Sequence, residues 1–294
     1  MYHVLIRNGT VLSQCGQDVV VPWWSFTKTV IAAAALLQVQ NKALSLDEPV
    51  HAGPFTLRQL LRHQAGLPDY GDLPAYHAAV ERGDAPWSEE TMLERVEAQR
   101  LRYEPGSAWS YSNIGYCHVR HLIERSAGEE FGSALQRLVL HPLGLEQVQL
   151  AHTKHDLDGV EIGDVTAYDP SWVYHGLLVG SLGDATLLLH RLMTENLLRK
   201  DLLVAMLDGE ALGGPVIGRP WLSPGYGLGV MAGKVNGGLA VAGHTGSGPG
   251  SCIAVYRDMS SSMRSCCATF SSGSDVGSIE TAAVSLLTQL TAPG

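Results

Sequence analysis

The stretch Trp23-Trp24-Ser25-Phe26-Thr27-Lys28-Thr29-Val30-Ile31-Ala32-Ala33-Ala34-Ala35-Leu36-Leu37 contains the feature that decides the fold. From Ser25 to about Lys42 the residue pattern is helical, and positions 32–37 are apolar on every face. A helix that is apolar all round is buried inside a protein rather than lying on its surface. The sequence therefore predicts a central helix around which the rest of the chain packs.

Outward from this helix, both ends of the chain predict strands. Short apolar runs at 3–7 and 10–14 flank Asn8-Gly9, the dipeptide most typical of a two-residue hairpin. Further strands are predicted at 226–231, 239–242, 251–256 and 265–270, followed by a helix at 277–291. Helices are predicted at 56–61, 74–82, 88–99, 113–127, 129–139, 182–194 and 199–207, and 156–174 is predicted as a surface loop with short extended pieces.

Strands at both ends and helices in the middle indicate an α/β domain assembled from both termini, with a helical insertion. We expect residues 1–54 and 170–294 to form the α/β domain and residues 55–169 to form the mostly α-helical one.

Composition limits the class of protein. The chain has 294 residues, of which 45% are hydrophobic and 17% charged, which is typical of a globular protein and excludes disordered, collagen-like and coiled-coil classes. A formal net charge of −9 argues against nucleic acid as a partner. The longest apolar run, 30–37, is too short to cross a membrane. The sequence does not define an oligomeric state.

We expect a cytoplasmic location, because the start of the chain lacks the pattern of a signal peptide. Five cysteines without a framework spacing also suit a reducing compartment. The adjacent Cys266 and Cys267 are interpreted as alternating positions on a buried strand, with a redox pair as the alternative.

Ser25 and Lys28 stand three positions apart at the start of the central helix, so their side chains share one face. Burial disfavours an ammonium group, and a neutral lysine can accept a proton from a serine hydroxyl. Free N–H groups at the helix start can stabilise a developing oxyanion. The same pair also fits an N-capping serine followed by a surface lysine. Alone, it leaves both interpretations open.

Two further motifs carry polar groups suited to chemistry. Tyr111-Ser112-Asn113 supplies a phenol, whose pKa a neighbouring ammonium can lower, and an amide that can donate to a carbonyl. Its alternative is an N-capping asparagine beside a packed tyrosine. His244-Thr245-Gly246-Ser247-Gly248 follows an apolar strand, and its glycines allow a ligand to approach the backbone closely or form a hairpin turn.

In this order the three motifs resemble those of the serine β-lactamase and penicillin-binding protein superfamily. The flanking segments 44–50, 56–68 and 105–116 are similar to the class C branch, which includes class C β-lactamases, D-alanyl-D-alanine carboxypeptidases, D-aminopeptidases and β-lactamase-like esterases. The similarity is close over 20–150 and looser over 176–294. It implies a β-lactamase/transpeptidase-like α/β fold, with an antiparallel sheet flanked by helices, an inserted all-α domain and an active site between the two domains.

The resemblance also implies roles for individual residues. Ser25 is the nucleophile that is acylated, Lys28 keeps its proton mobile, and Tyr111 is the general base, with its phenolate favoured by Lys28. The backbone N–H groups of Ser25 and Ser247 form the oxyanion hole. The substrate-binding residues are Asn113, His244, Thr245, Gly246 and Ser247.

These parts imply a serine hydrolase that works through an acyl-enzyme. We expect a carboxylesterase acting on a small-molecule ester. The same parts also fit a D-amino-acid peptidase or carboxypeptidase, a β-lactamase, an amidase or an acyltransferase. A non-catalytic binding protein on the same scaffold is the alternative from a different class.

Two departures from the family pattern bear on the substrate. Trp23-Trp24 precedes the nucleophile where relatives have a small residue, so we expect a bulkier pocket floor. His244 stands where many β-lactamases have lysine, so we expect the positive charge there to be missing or dependent on pH.

No cofactor or metal is expected. His118 with His121, and His152 with His155, have a spacing that suits a metal, yet no recognisable ligand set completes either pair. The aspartates Asp69, Asp72 and Asp84 lie in predicted loops and are expected to be solvated.

Overall fold

A computed structural model describes residues 1–163, 168–194, 196–260 and 264–290. Within these residues the strands are β1 (Tyr2–Arg7), β2 (Thr10–Cys15), β3 (Val20–Pro22), β4 (Gln149–Ala151), β5 (Leu177–Ser181), β6 (Glu210–Ala211), β7 (Trp221–Tyr226), β8 (Met231–Val235), β9 (Ala240–Gly248), β10 (Ser251–Asp258) and β11 (Ser265–Ser272). The α-helices there are α1 (Thr27–Gln40), α2 (Leu57–Leu61), α3 (Pro74–Glu81), α4 (Glu89–Arg95), α5 (Asn113–Ala127), α6 (Phe131–Leu135), α7 (Leu182–Leu192), α8 (Lys200–Leu207) and α9 (Val276–Gln289).

An eight-stranded antiparallel sheet has the order β2-β1-β11-β10-β9-β8-β7-β6. The first two strands come from the start of the chain and the other six from its last third, so the predicted α/β fold built from both termini is confirmed. The hairpin between β1 and β2 turns at Asn8 and Gly9, whose φ angles of 51° and 80° are the positive values that a type I′ turn requires.

Helices cover both faces of this sheet. Helix α7 packs on β1, β10 and β11, while α9 packs on β9, β10 and β11. Because side chains alternate along a strand, Cys266 belongs to the core on the α1 and α7 side and Cys267 to the core beneath α9. This confirms the interpretation of the two cysteines as neighbours on a buried strand.

Helix α1 lies in the middle of the protein, as predicted. Every residue from Thr27 to Gln38 is buried, and the helix packs on α5. The small alanine side chains of α1 allow neighbouring segments to approach the helix closely. At Gly229, whose φ is +74°, an added Cβ would come within 2.4 Å of the Ala32 Cβ.

The predicted strand at 226–231 is wrong. Strand β7 ends at Tyr226, β8 begins at Met231, and the residues between them form a buried turn closed by the bond from Gly227 N to Val230 O (2.8 Å). The apolar residues of this segment are buried because the turn packs against helices. Leu228 N donates a hydrogen bond to Met206 O of α8.

The surface loop predicted at 156–174 is right only in its first part, where residues 156–163 are exposed or half-buried; the segment 168–174 is largely buried, and residues 164–167 lie outside the described residues. Tyr168, Trp172 and Tyr174 are buried. The Trp172 ring meets Tyr76 and Trp87 edge-on, with centroid distances of 5.4 and 5.3 Å. Aromatic side chains therefore hold this segment against the helical region.

Differences at element ends are small elsewhere. The helix predicted at 88–99 ends at Arg95, and the one predicted at 129–139 becomes α6 followed by a π-helical turn, Gln136–Leu140. Residue 291 of the predicted final helix lies outside the described residues.

A small second sheet was not foreseen. It has the order β3-β5-β4, and it joins strands from both sides of the expected boundary between an α/β and a helical domain. The boundaries at 54/55 and 169/170 stay a prediction. None of the helices in the described ranges combines the length and apolar character needed to cross a bilayer.

Candidate active site

Ser25 lies in a short 3₁₀ turn, Trp24–Phe26, that leads directly into α1. Its Oγ is 2.8 Å from the Tyr111 hydroxyl and 3.2 Å from Lys28 Nζ. The preceding residue, Trp24, has a φ of 42°, a left-handed conformation that is strained for a bulky side chain. The turn thus places the serine hydroxyl beside two groups that can exchange a proton with it.

Lys28 is fully buried on the first turn of α1. Its Nζ contacts Ser25 Oγ at 3.2 Å, Asn113 Oδ1 at 2.7 Å and His175 Nε2 at 3.0 Å. Burial lowers the pKa of Lys28 to about 7, although the negative charge of Asp69 works in the opposite direction. A large share of the protein therefore carries a neutral amine here near neutral pH, as the burial argument from sequence expected.

Tyr111 differs from expectation. Burial raises the pKa of Tyr111 above its ordinary value and the charge of Asp69 adds to this, while the hydrogen bond with Ser25 works against it. Lys28 Nζ lies over the tyrosine ring, 5.1 Å from its centroid. Burial thus favours the protonated phenol in the free protein, against the phenolate expected from the sequence.

Asn113 begins α5 and is held by Asp69. The Asp69 carboxylate accepts from Asn113 N (3.0 Å) and from Asn113 Nδ2 (3.2 Å). With its Nδ2 bound to Asp69, the amide must turn its Oδ1 toward Lys28. Asp69 is therefore a buried positioning residue and not the solvated loop residue that the sequence predicted.

Strand β9 passes beside the nucleophile turn at Gly246 and Gly248. An added Cβ at Gly246 would lie 2.8 Å from Ser25 N, and one at Gly248 would lie 2.4 Å from ring atoms of Trp24. Pairing with β8 stops at Gly243, so the later part of β9 is not covered by that strand. The two glycines allow the strand and the bulky Trp24 to share this space.

His244 is buried on β9 beside Tyr226 of strand β7. Its Nε2 is 2.9 Å from the Tyr226 hydroxyl and its Nδ1 is 2.7 Å from Thr245 O. Burial and the charge of Lys28 lower the pKa of His244 to about 3, against a smaller opposing effect of the Thr245 backbone. Because a buried imidazole with this pKa stays neutral near pH 7, the low pKa favours a missing positive charge over a pH-dependent one, the two alternatives expected from the sequence.

Thr245 points to the opposite side of β9, because side chains alternate along a strand. Its hydroxyl bonds to Tyr256 and to the buried Glu280 of α9. The side chain is therefore part of the packing beneath α9 and does not line the cleft, contrary to the expected substrate contact. Ser247, on the same face further along, is exposed and does line it.

A cleft of about 930 Å³ opens in front of Ser25. Asn113, His175 and Ser247 also line it. Its walls are largely aromatic: Trp24, Tyr70, Tyr76, Tyr168 and Trp172. Its rim carries charged side chains: Glu81, Arg82, Asp84 and Asp169. Trp24 thus contributes to the cleft as expected, whereas Trp23 lies in the core.

Sequence reasoning also missed two buried histidines. His63, with a φ of 59°, packs its ring 4.3 Å from that of Tyr111 and accepts a bond from Ser112 N at 3.1 Å. His175 contacts Lys28 directly. His63 lies in the segment 56–68, which resembles the family, but no local pattern around either histidine indicates which residues it contacts. Among the described residues no cluster of three or more His, Cys, Asp or Glu suits a metal ion.

The chain is similar to known proteins in sequence. A family model described as Beta-lactamase matches residues 1–289. A D-aminopeptidase of Cereibacter sphaeroides is 27% identical over 146 residues, covering 46% of this chain and 28% of the relative. The esterase EstB of Burkholderia gladioli is 29% identical over 142 residues, covering 41% of this chain and 36% of the relative. The matched segments thus span about a third of these relatives' own lengths.

Similarity in structure extends over nearly the whole chain. The crystal structure of D-amino acid amidase from Ochrobactrum anthropi SV3, complexed with L-phenylalanine, superposes with a TM-score of 0.82. The two chains are 20% identical, and the match covers 99% of this chain and 94% of the amidase. The expected β-lactamase/transpeptidase-like fold is confirmed.

Proposed function

The chain belongs to the Beta-lactamase family, and from that premise we propose that it is a serine hydrolase that forms an acyl-enzyme on Ser25. The observation that carries the proposal is the position of Ser25 Oγ, between the Tyr111 hydroxyl at 2.8 Å and Lys28 Nζ at 3.2 Å. A serine hydroxyl is a weak nucleophile until a neighbouring base takes its proton.

Lys28 is the base in this proposal. Its pKa of about 7 makes the neutral amine available near neutral pH, whereas burial keeps the Tyr111 phenol protonated. As Oγ forms a bond to the substrate carbonyl carbon, the Ser25 proton moves to Lys28. The carbonyl electrons move onto oxygen, where the backbone N–H groups of Ser25 and Ser247 are proposed to stabilise them.

Collapse of this intermediate breaks the bond to the leaving group. Tyr111, next to Oγ, is placed to donate its phenolic proton to the departing oxygen or nitrogen, and the proton held by Lys28 restores the phenol. Water then attacks the acyl carbon, gives up a proton through the same groups, and Ser25 Oγ recovers a hydrogen. The net reaction converts an ester and water into an acid and an alcohol.

The substrate class follows from charge. His244 is neutral, with a pKa of about 3, so no fixed cation stands on this part of β9. Among the described residues that line the cleft, Arg82 is the arginine, and it is exposed and paired with Asp84. We therefore favour small esters with uncharged leaving groups over β-lactams and C-terminal peptides, which carry a carboxylate there.

A second candidate is an amide or ester of an amino acid with a free amino group. Glu81, Asp84 and Asp169 outnumber Arg82 along the cleft, which favours a cationic acyl group. Relatives named as a D-aminopeptidase and a D-amino acid amidase support this candidate.

The location proposed for this reaction is the cytoplasm. All five cysteines are free thiols, and four of them are buried, which suits a reducing compartment.

A kinetic panel tests the proposal. Wild type and Ser25→Ala are compared on p-nitrophenyl acetate, on the D- and L-forms of phenylalanine amide, and on a carboxylate-bearing chromogenic cephalosporin. We expect Ser25-dependent turnover of the ester, weaker turnover of the amides and the lowest kcat/KM for the cephalosporin. The absence of Ser25-dependent turnover on every substrate would support the binding-protein alternative, and a preference for the cephalosporin would contradict the charge argument.

A further inference from the structure

We propose that His175 is a positioning residue that turns the lone pair of neutral Lys28 toward the Ser25 hydroxyl. The inference rests on the proposed function, since it concerns how the base of that reaction is aimed. His175 precedes β5, is 3% exposed and places its Nε2 3.0 Å from Lys28 Nζ. No motif in the sequence marked it.

The contact with His175 matters because of the donors and acceptors around the Lys28 amine. A neutral lysine amine has two N–H donors and one lone pair. One N–H goes to Asn113 Oδ1, which can only accept, because Asp69 binds the Nδ2 of the same amide. If His175 Nε2 accepts the second N–H, the lone pair remains for the hydroxyl of Ser25.

The tautomer of His175 therefore controls the base. With the ring proton on Nδ1, Nε2 accepts and Lys28 is free to take the serine proton. With the proton on Nε2, the ring would donate to the lone pair and block it. Nδ1 has no hydrogen-bond partner among the described residues in either case, so the contact with Lys28 decides the tautomer.

Burial and the neighbouring charge of Lys28 hold the pKa of His175 far below its usual range, so the ring carries a single proton. The titratable groups that face Lys28 from the elements around it are Asp69, Tyr111, Tyr116, His63, His175 and His244. Of these, His175 is the histidine within hydrogen-bond distance of the amine.

The variants His175→Gln and His175→Met form a matched pair. Gln keeps an acceptor near the position of Nε2, while Met has a similar size and shape without one. For the Met variant we expect kcat/KM on p-nitrophenyl acetate to fall by about 10²-fold, as for a misplaced catalytic group. Loss of an acceptor for the ammonium also lowers the pKa of Lys28, so the acidic limb of the pH profile should move to lower pH. The Gln variant should recover most of the activity and the wild-type limb.

Equal activity and equal pH profiles in the two variants would overturn the proposal, because a residue that only fills space gives that result. A measurement on the wild-type protein needs no variant to fold: long-range ¹H–¹⁵N spectra of the histidine rings should show His175 protonated on Nδ1, and a proton on Nε2 would overturn it. If wild type shows no Ser25-dependent turnover or labelling, the proposed hydrolase function fails instead, while the tautomer result stands by itself.

Discussion

Two clusters of buried polar side chains lie on opposite sides of strand β9, and each surrounds one titratable side chain. The Lys28 cluster consists of Ser25, Lys28, Tyr111, Asn113 and His175. The Glu280 cluster consists of Arg219, Trp221, Thr245, Tyr256 and Glu280. Both central side chains have no exposed surface.

The two clusters differ in how they offset the cost of burying a charge. Arg219 donates two hydrogen bonds to the Glu280 carboxylate. Burial alone would raise the pKa of Glu280, but these bonds outweigh burial, and the pKa lies below its usual value. Lys28 has neutral acceptors around it, and the nearby Asp69 carboxylate bonds to Asn113 instead. The pKa of Lys28 therefore falls to about 7. Both side chains are buried, but Glu280 keeps its charge and stabilises the fold through Arg219, whereas Lys28 can lose its proton and act as a base.

Replacement of Lys28 by Met should have the largest effect on catalysis. Without the base, we expect kcat/KM to fall by about 10⁴-fold, the upper end for loss of a general base. Thermal unfolding should stay the same or move to higher temperature, because an apolar side chain replaces a buried amine without an ion-pair partner. Wild-type kcat/KM should rise with pH through about 7 as Lys28 loses its proton. A Met variant that keeps its activity, or a wild-type rate that falls through pH 7, would contradict the assignment.

Tyr111→Phe should have the next largest effect, a loss of about 10²-fold in kcat, because the phenol is a proton donor in the same path. Groups that act as a unit fail together, so the double variant with Lys28→Met should lose little more than Lys28→Met alone. Steady-state kinetics on the four proteins of this cycle measure the coupling. Full multiplication of the two single losses would show that the residues act independently.

Glu280→Gln should lower stability more than activity, the reverse of Lys28→Met. Removing one partner of a buried ion pair leaves Arg219 without its carboxylate, and we expect unfolding to become easier by about 3 kcal/mol. Activity should fall less than in Tyr111→Phe. Because folding lowers the pKa of Glu280, this stability difference is complete above the unfolded value of about 4.3 and shrinks as pH falls through the folded value.

Asp47→Asn is the matched control for that variant. Arg58 also donates two hydrogen bonds to Asp47, but the Asp47 side chain is 68% exposed, so that solvent screens the pair. Its change in unfolding free energy should be much smaller. Equal destabilisation of the two variants in urea titrations would show that burial does not distinguish the pairs.

The smallest effect is expected at His244. Its pKa of about 3 makes the imidazole neutral throughout, so the ratio of kcat/KM for anionic over neutral esters of one acyl group should stay flat from about pH 6 to 9. Division of the two profiles removes the shared titration of Lys28. A ratio that falls as pH rises through 6 to 7 would contradict this and favour the pH-dependent charge that the sequence left open.

Local patterns in the sequence predicted the parts of the site that depend on local geometry. The shared face of Ser25 and Lys28 and the burial of α1 both follow from the helical period and from the apolar residues of 32–37. Asp69 and His175 could not be found this way, because each acts through a contact with a residue far away in the chain. The opposite orientations of His244 and Thr245 were open to prediction from the two-residue period of a strand.

Missed secondary structure has a similar cause. Strand β3 and strand β4 have three residues each, too few to show a period, and they form only because β5 pairs with both. The segment 226–231 has apolar residues with a strand-like spacing, but the backbone turns at Gly229, whose φ is 74°, and packing against α1 buries the segment.

Intact-protein mass spectrometry tests the central claim most directly, that the Lys28 cluster activates Ser25 as a nucleophile. Wild type, Lys28→Met and Ser25→Ala are each treated with a fluorophosphonate and with a p-nitrophenyl ester. We expect one adduct per wild-type chain, located on Ser25 by peptide mapping, much slower labelling of Lys28→Met and no labelling of Ser25→Ala. Unchanged labelling of Ser25→Ala, or an adduct on another residue, would contradict it.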